Sequence, residues 1–110
     1  MGYDLHITRA EVWSQNEGKE ITSEEWLALI QSDVELELAG YNGDYFALWS
    51  GKSEYEDPWL DWSSGNIYTK NPDGPIIVKM LEIAKRLNAK VQGDDGEIYF
   101  GPGQNDFRTE

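Results

Sequence analysis

The chain contains no cysteine. No disulfide and no thiolate-held metal can brace it, and a reducing compartment suits it. It has a single histidine, His6. One imidazole and no thiol supply too few ligands for an ordinary transition-metal centre, so no metal and no cofactor are expected. No apolar run approaches the roughly 20 residues that span a bilayer. The opening Met1–His6 has neither the basic nor the apolar stretch of a signal peptide. A cytoplasmic protein is expected. Basic residues are also scarce: nine Lys and Arg stand against 21 Asp and Glu, for a net charge of -12. That field repels phosphate backbones and anionic headgroups, which argues against nucleic acid and membrane surfaces as partners. Neither a Walker pattern nor G-x-G-x-x-G occurs.

What is present is aromatic. Rings make up 13% of 110 residues, with five Trp and six Tyr, and the hydrophobic share of 39% lies well above the disordered regime. The length suits one domain with a modest core in which large rings do much of the burying.

Patterning predicts an α+β fold: a largely antiparallel sheet with two helices packed on it, in the order β-α-β-β-β-β-α-β-β. Tyr3, Leu5 and Ile7 alternate with Asp4, His6 and Thr8, the pattern of a half-buried strand. A polar loop follows over 14–20, its start pinned to the core by Trp13. Thr22 and Glu25 form a capping box, with Ile21 and Trp26 as a hydrophobic staple, and predict a helix over 23–31. Val34–Leu38 alternates as a second strand. Asn42-Gly43 marks a turn before Tyr45–Trp49, whose unbroken apolarity predicts a central strand. Trp59–Trp62 and Asn66–Lys70 flank Ser63–Gly65 as a hairpin. Asn71-Pro72 predicts the next helix start, with Asp73 as the alternative cap. Ile76, Met80, Ile83 and Leu87 give that helix its apolar stripe, and Asn88 suits a left-handed C-cap. Residues 89–92 and 97–100 bracket Gly93–Gly96 as a last hairpin. Residues 1–100 are expected to form the single domain and 101–110 a flexible tail.

The feature with most bearing on function is Gly51–Trp62. It carries Glu54, Glu56, Asp57 and Asp61 with Tyr55, Trp59 and Trp62, against one cation, Lys52. Carboxylates beside rings anchor and steer a basic partner. The plainer account is solvated acids over core tryptophans. Strand alternation divides the two: Trp62 shares a face with Leu60 and belongs to the core, whereas Trp59 shares one with Asp61 and belongs to the surface. The candidate partner-binding residues are Glu54, Tyr55, Glu56, Asp57, Trp59 and Asp61, and no residue is assigned a catalytic role.

Three other features carry less. His6, on a polar strand face, reads as a hydrogen-bonded structural histidine before it reads as a general base. A Ser-His-Asp arrangement stays open, since its members need not be adjacent, but no nucleophile elbow supports one. Gly93–Glu97 resembles a fragment of a calcium loop yet fails the alternating pattern, and a hairpin turn explains both glycines. Acid pairs are uninformative among 21 acids, although tryptophans stack on sugars, which leaves a small hydrolase or carbohydrate-binding domain as the alternative.

Tyr3–Ala10, Thr22–Leu27, Asn71-Pro72 and Arg86–Tyr99 together resemble a group of small acidic bacterial proteins of unassigned function. In size, acidity and helix-on-sheet layout the chain is also similar in general character to toxin-immunity proteins. That resemblance implies a non-enzymatic protein-binding module, an inhibitor of a basic toxin, acting by charge-steered association. A homo-oligomer through an exposed aromatic patch also stays open.

Overall fold

The structure is a computed structural model that describes residues 3–102 and 106–109. Eight antiparallel strands form one sheet in the order β2-β3-β4-β5-β1-β6-β7-β8. The strands are β1 (Asp4–Thr8), β2 (Leu36–Leu38), β3 (Ala47–Trp49), β4 (Trp59–Ser63), β5 (Asn66–Lys70), β6 (Lys90–Gly93), β7 (Ile98–Tyr99) and β8 (Phe107–Arg108). Helix α1 (Ser23–Ser32) lies against β2, and α2 (Gly74–Arg86) lies across β1 and β6. Among the described residues, no helix is long and apolar enough to cross a membrane.

Local chemistry accounts for the helix starts. The Thr22 hydroxyl accepts from the Glu25 amide at 3.1 Å, and the Glu25 carboxylate accepts from the Thr22 amide at 2.9 Å. This reciprocal pair closes the first turn of α1. Ile21 and Trp26, on either side of it, are fully buried. Helix α2 starts at Asp73, not Asn71. Asn71 sits at φ 48°, and its side-chain oxygen accepts from the Tyr3 amide at 3.0 Å. That backbone is left-handed, whereas an N-cap needs an extended one, which Asp73 has at φ -88°, ψ 178°. Asn88 takes the left-handed position after α2 at φ 56°.

Both helices cover the same face of the sheet. Leu5, Ile7, Leu36, Ala47, Leu60, Ile67 and Val91 point into it, where they meet Trp26, Leu29, Met80 and Ile83. The alternate residues fall on the opposite face, because successive side chains on a strand point opposite ways.

The expected Val34–Leu38 strand is confined to Leu36–Leu38, with Val34 fully exposed, and three further features differ from the pattern-based expectation. Of the Tyr45–Trp49 segment only Ala47–Trp49 forms β3, and it is second from the sheet edge; β5 and β1 are the central pair. Ala47 joins the core with Tyr45 and Trp49 packed beside it, while Phe46 stacks on Trp59 on the opposite face. Trp13 is pinned to the face opposite the core. The tail adds an eighth strand, with Tyr99 opposite Phe107 and Ile98 opposite Arg108. Residues 103–105 and 110 of that tail, and Met1-Gly2, lie outside the described residues.

Candidate functional site

The 50–58 segment joins β3 to β4, and Asp73 is its main anchor. Asp73 caps α2 with Oδ1, which accepts from the Ile76 amide at 3.1 Å. Its Oδ2 accepts from the Ser53 hydroxyl and the Glu54 amide, each at 2.7 Å. Burial pushes the Asp73 carboxyl up, but the Ser53 hydroxyl and the amides of Glu54 and Ile76 outweigh it and hold the group below the usual carboxylate range. The Tyr55 hydroxyl donates to the Asn71 carbonyl at 2.7 Å, and the Trp49 amide donates to the Pro58 carbonyl at 2.9 Å. The loop is therefore fastened at its base while its tip faces solvent.

Glu54, Glu56 and Asp57 are exposed on that tip, and Tyr55 is 44% exposed. Among the described residues, no cation pairs with any of the three carboxylates. Several acids elsewhere are neutralised: Asp33 by Lys79 and Arg86, Glu25 by Arg9, and Asp4 by Lys70. Tyr55, Asp57 and Trp59 come together in the wall of a recess of about 300 Å³ that Lys70 and Asn71 also line.

Trp59 and Asp61 stand on the sheet face away from the helices. Trp59 stacks on Phe46 with ring centroids 5.1 Å apart, and meets Tyr68 edge to face at 5.7 Å. Asp61 is the cross-strand partner of Tyr68. Burial pushes the Asp61 carboxyl above its ordinary value, against the opposing pull of the Trp62 amide and Tyr68. Trp62 packs against the core from the other face, and its indole donates to the Ile21 carbonyl at 2.8 Å. The six candidate residues thus fall into two neighbouring groups: a charged loop tip and an aromatic strip.

No family model matches the chain, and no curated protein and no solved structure matches it either. Any functional assignment therefore rests on the chain's own geometry.

A second cluster lies further along the same face. His6 is 5% exposed. Its Nε2 is 2.9 Å from Asp94 Oδ1, and Asp94 Oδ2 accepts from the Asp4 amide at 2.9 Å. Trp13 lies flat over the imidazole. Side-chain ligand atoms of Asp4, His6 and Asp94 all fall within 4.8 Å of one another, a set that could offer a divalent cation three ligands. Lys70 Nζ already stands 3.3 Å from Asp4 Oδ1, so a cation there would have to displace an ammonium. The imidazole and Asp94 form the His-Asp half of a nucleophilic arrangement. Among the described residues no serine hydroxyl bonds the ring, and Trp13 shields it. Asp94 itself belongs to the turn between β6 and β7, where the Gly93 amide donates to Glu97 at 2.8 Å and the Gly96 amide donates to Gly93 at 3.0 Å. These are hairpin bonds.

Tyr68 is the site residue that pattern reading passes over. A signal for it exists. A two-residue turn at Ser64-Gly65 pairs Ser63 with Asn66, and each step back along the hairpin then pairs Trp62 with Ile67 and Asp61 with Tyr68. Asp94 offers no such signal, since 88 residues separate it from His6.

Proposed function

We propose that the chain is a non-enzymatic bacterial protein-binding module that inhibits a basic toxin, in the manner of an immunity protein. The observation that carries this reading is the set of unpaired carboxylates on a fastened loop: Glu54, Glu56 and Asp57 face solvent without cations, while Asp73 and Asn71 hold the backbone beneath them. A loop fixed before contact loses little entropy on binding. An uncompensated negative patch accelerates encounter with a positive surface. The half-exposed Tyr55 and the Trp59 strip supply the ring contacts that concentrate binding energy at the centre of such an interface.

The test starts with capture of the partner from the native host and purification of the pair. Association should slow steeply as sodium chloride rises. The triple variant Glu54→Gln/Glu56→Gln/Asp57→Asn should associate about ten-fold more slowly at low salt, within the range that charge steering spans. Affinity indifferent to salt, or a triple variant that associates like the parent, removes this reading.

A second reading, a carbohydrate-binding or small hydrolytic site, draws on Trp59 and Asp57 in that recess and on the raised carboxyl of Asp61 on the neighbouring strip. The two readings separate cleanly. Binding of a neutral oligosaccharide would be indifferent to salt, whereas binding of a basic protein would not.

A further inference from the structure

Deepening the protein-binding reading, and resting on it, we propose that Asp61, Tyr68 and Trp59 form a receptor for one guanidinium group, the side chain of an arginine on the partner.

The geometry begins with the hairpin. Asp61 on β4 and Tyr68 on β5 are direct cross-strand partners, and Trp59 precedes Asp61 by two residues on the same face. Both helices pack against the other face, so this strip has no helix over it. Phe46 backs Trp59, and Tyr68 meets Trp59 edge to face. The result is a half-buried carboxylate set among aromatic rings at the surface.

Asp61 also differs from the acids that the fold pairs with cations or anchors at a helix start. Arg9 binds Glu25, Lys79 and Arg86 bind Asp33, Lys70 binds Asp4, and His6 pairs with Asp94. Asp73 has no cation but receives two amides and a hydroxyl at a helix start. Asp61 receives the Trp62 amide at 2.9 Å and interacts with Tyr68. Among the described residues no lysine, arginine or histidine pairs with it. Lys70, two residues beyond Tyr68, is engaged by Asp4 across the β1–β5 pair. Glu25, Asp33, Glu35 and Asp73 are all held below the usual carboxylate range, while burial pushes Asp61 above it. Asp61 is thus a partly buried carboxylate with no counter-ion among the described residues, and the bonds it accepts do not hold it below the usual range as those of Asp73 do.

Guanidinium fits the vacancy in charge better than ammonium. It is planar, weakly hydrated, lies well against aromatic rings and forms forked bonds to a carboxylate. An ammonium is compact and strongly hydrated, so it loses more on entering a strip of rings.

The experiment is an NMR titration of the full chain with N-acetyl-arginine amide, read on backbone amides and tryptophan indole signals. N-acetyl-citrulline amide and N-acetyl-lysine amide serve as comparisons. Saturable shifts at Asp61, Tyr68 and the Trp59 indole are expected, with citrulline at least about ten-fold weaker because a charged hydrogen bond is lost. Asp61→Asn should erase the preference for arginine over citrulline. Tyr68→Phe, which keeps the ring, should retain that preference. Absent or unsaturable shifts at these positions, equal response to citrulline, or an Asp61→Asn variant that still prefers arginine each overturn the receptor. Equal response to the lysine compound overturns the guanidinium assignment. Failure here, with the parent's partner binding still salt-dependent and slowed in the loop triple variant, removes the receptor alone; parent binding that is indifferent to salt removes the protein-binding reading itself.

Discussion

Trp13 lies flat on His6, with ring centroids 3.7 Å apart and planes 8° from parallel. The indole donates to the Asp94 carbonyl at 3.3 Å, and the Trp13 amide donates to Gln92 Oε1 at 2.7 Å. The Trp13 carbonyl accepts from Asn66 at 2.8 Å. One residue thus ties the 9–22 loop to β1, β5 and β6 on the face that the helices leave open.

Trp13→Ala should therefore destabilise the fold by about 2 kcal/mol, below the cost for a fully buried tryptophan because this ring is only half-buried. Urea unfolding measures it. The same variant should expose His6, so modification of the imidazole by diethyl pyrocarbonate should accelerate. A modification rate equal to that of the parent would contradict the covering role.

Asp73 couples the 50–58 loop to α2 through its two oxygens. Asp73→Asn keeps one acceptor, and Asn is a good N-cap, so helix stability should fall by less than about 1 kcal/mol. The loop bonds to Ser53 and Glu54 should weaken, because an amide has one acceptor oxygen where the carboxylate has two. Hydrogen exchange should then quicken at residues 53–55 while α2 stays protected. Equal exchange in both segments would contradict this division of labour.

Lys79 is 4% exposed and reaches Asp33 at 2.8 Å and Glu35 at 2.7 Å. It clamps α2 to the segment between α1 and β2. Burial lowers the Lys79 pKa, but the carboxylates of Asp33 and Glu35 outweigh it and raise the net value. Lys79→Met should cost about 3 kcal/mol, since it leaves Asp33 buried with only Arg86 as a counter-ion. Lys79→Met/Asp33→Leu should cost less than the two single changes added together. Denaturant midpoints across this double-mutant cycle decide the matter.

Glu25 is held at about 2, well under its ordinary 4.5, first by the Arg9 fork and then by the Thr22 amide. A folded pKa below the unfolded one means that stability is fully present above about 4.5 and is lost as pH falls towards about 2. Glu25→Gln should flatten the acid limb of the stability curve over that window. Thermal unfolding between pH 5 and 2 checks it, and an acid limb as steep as the parent's would contradict the assignment.

Much of this was legible because local rules agreed with the tertiary structure. The capping box at Thr22 and Glu25, the apolar stripe of α2 and the tight turn at Ser64-Gly65, whose φ values are 51° and 87°, each depend on residues a few positions apart. Alternation along 59–62 also separated the outward Trp59 from the core-facing Trp62. What was hidden depends on distance along the chain or on backbone state. The sequence favours Asn71-Pro72 as the start of α2 over Asp73, and only the left-handed backbone at Asn71 reverses that order. The pairing of His6 with Asp94 requires β1 and β6 to be neighbours, and Trp13, expected against the core, lies on the opposite face because of a loop path that no local pattern encodes. Tyr68 gained its role only when set beside Asp61.

The most direct test of a basic partner held on the loop and strip is a chemical-shift map of the isotopically labelled chain bound to its purified partner. Perturbed amides should concentrate at 52–61 and around Tyr68, with the outer surfaces of α1 and α2 unchanged. Perturbations confined to the helix side, near Val34 and Val78, would contradict the account.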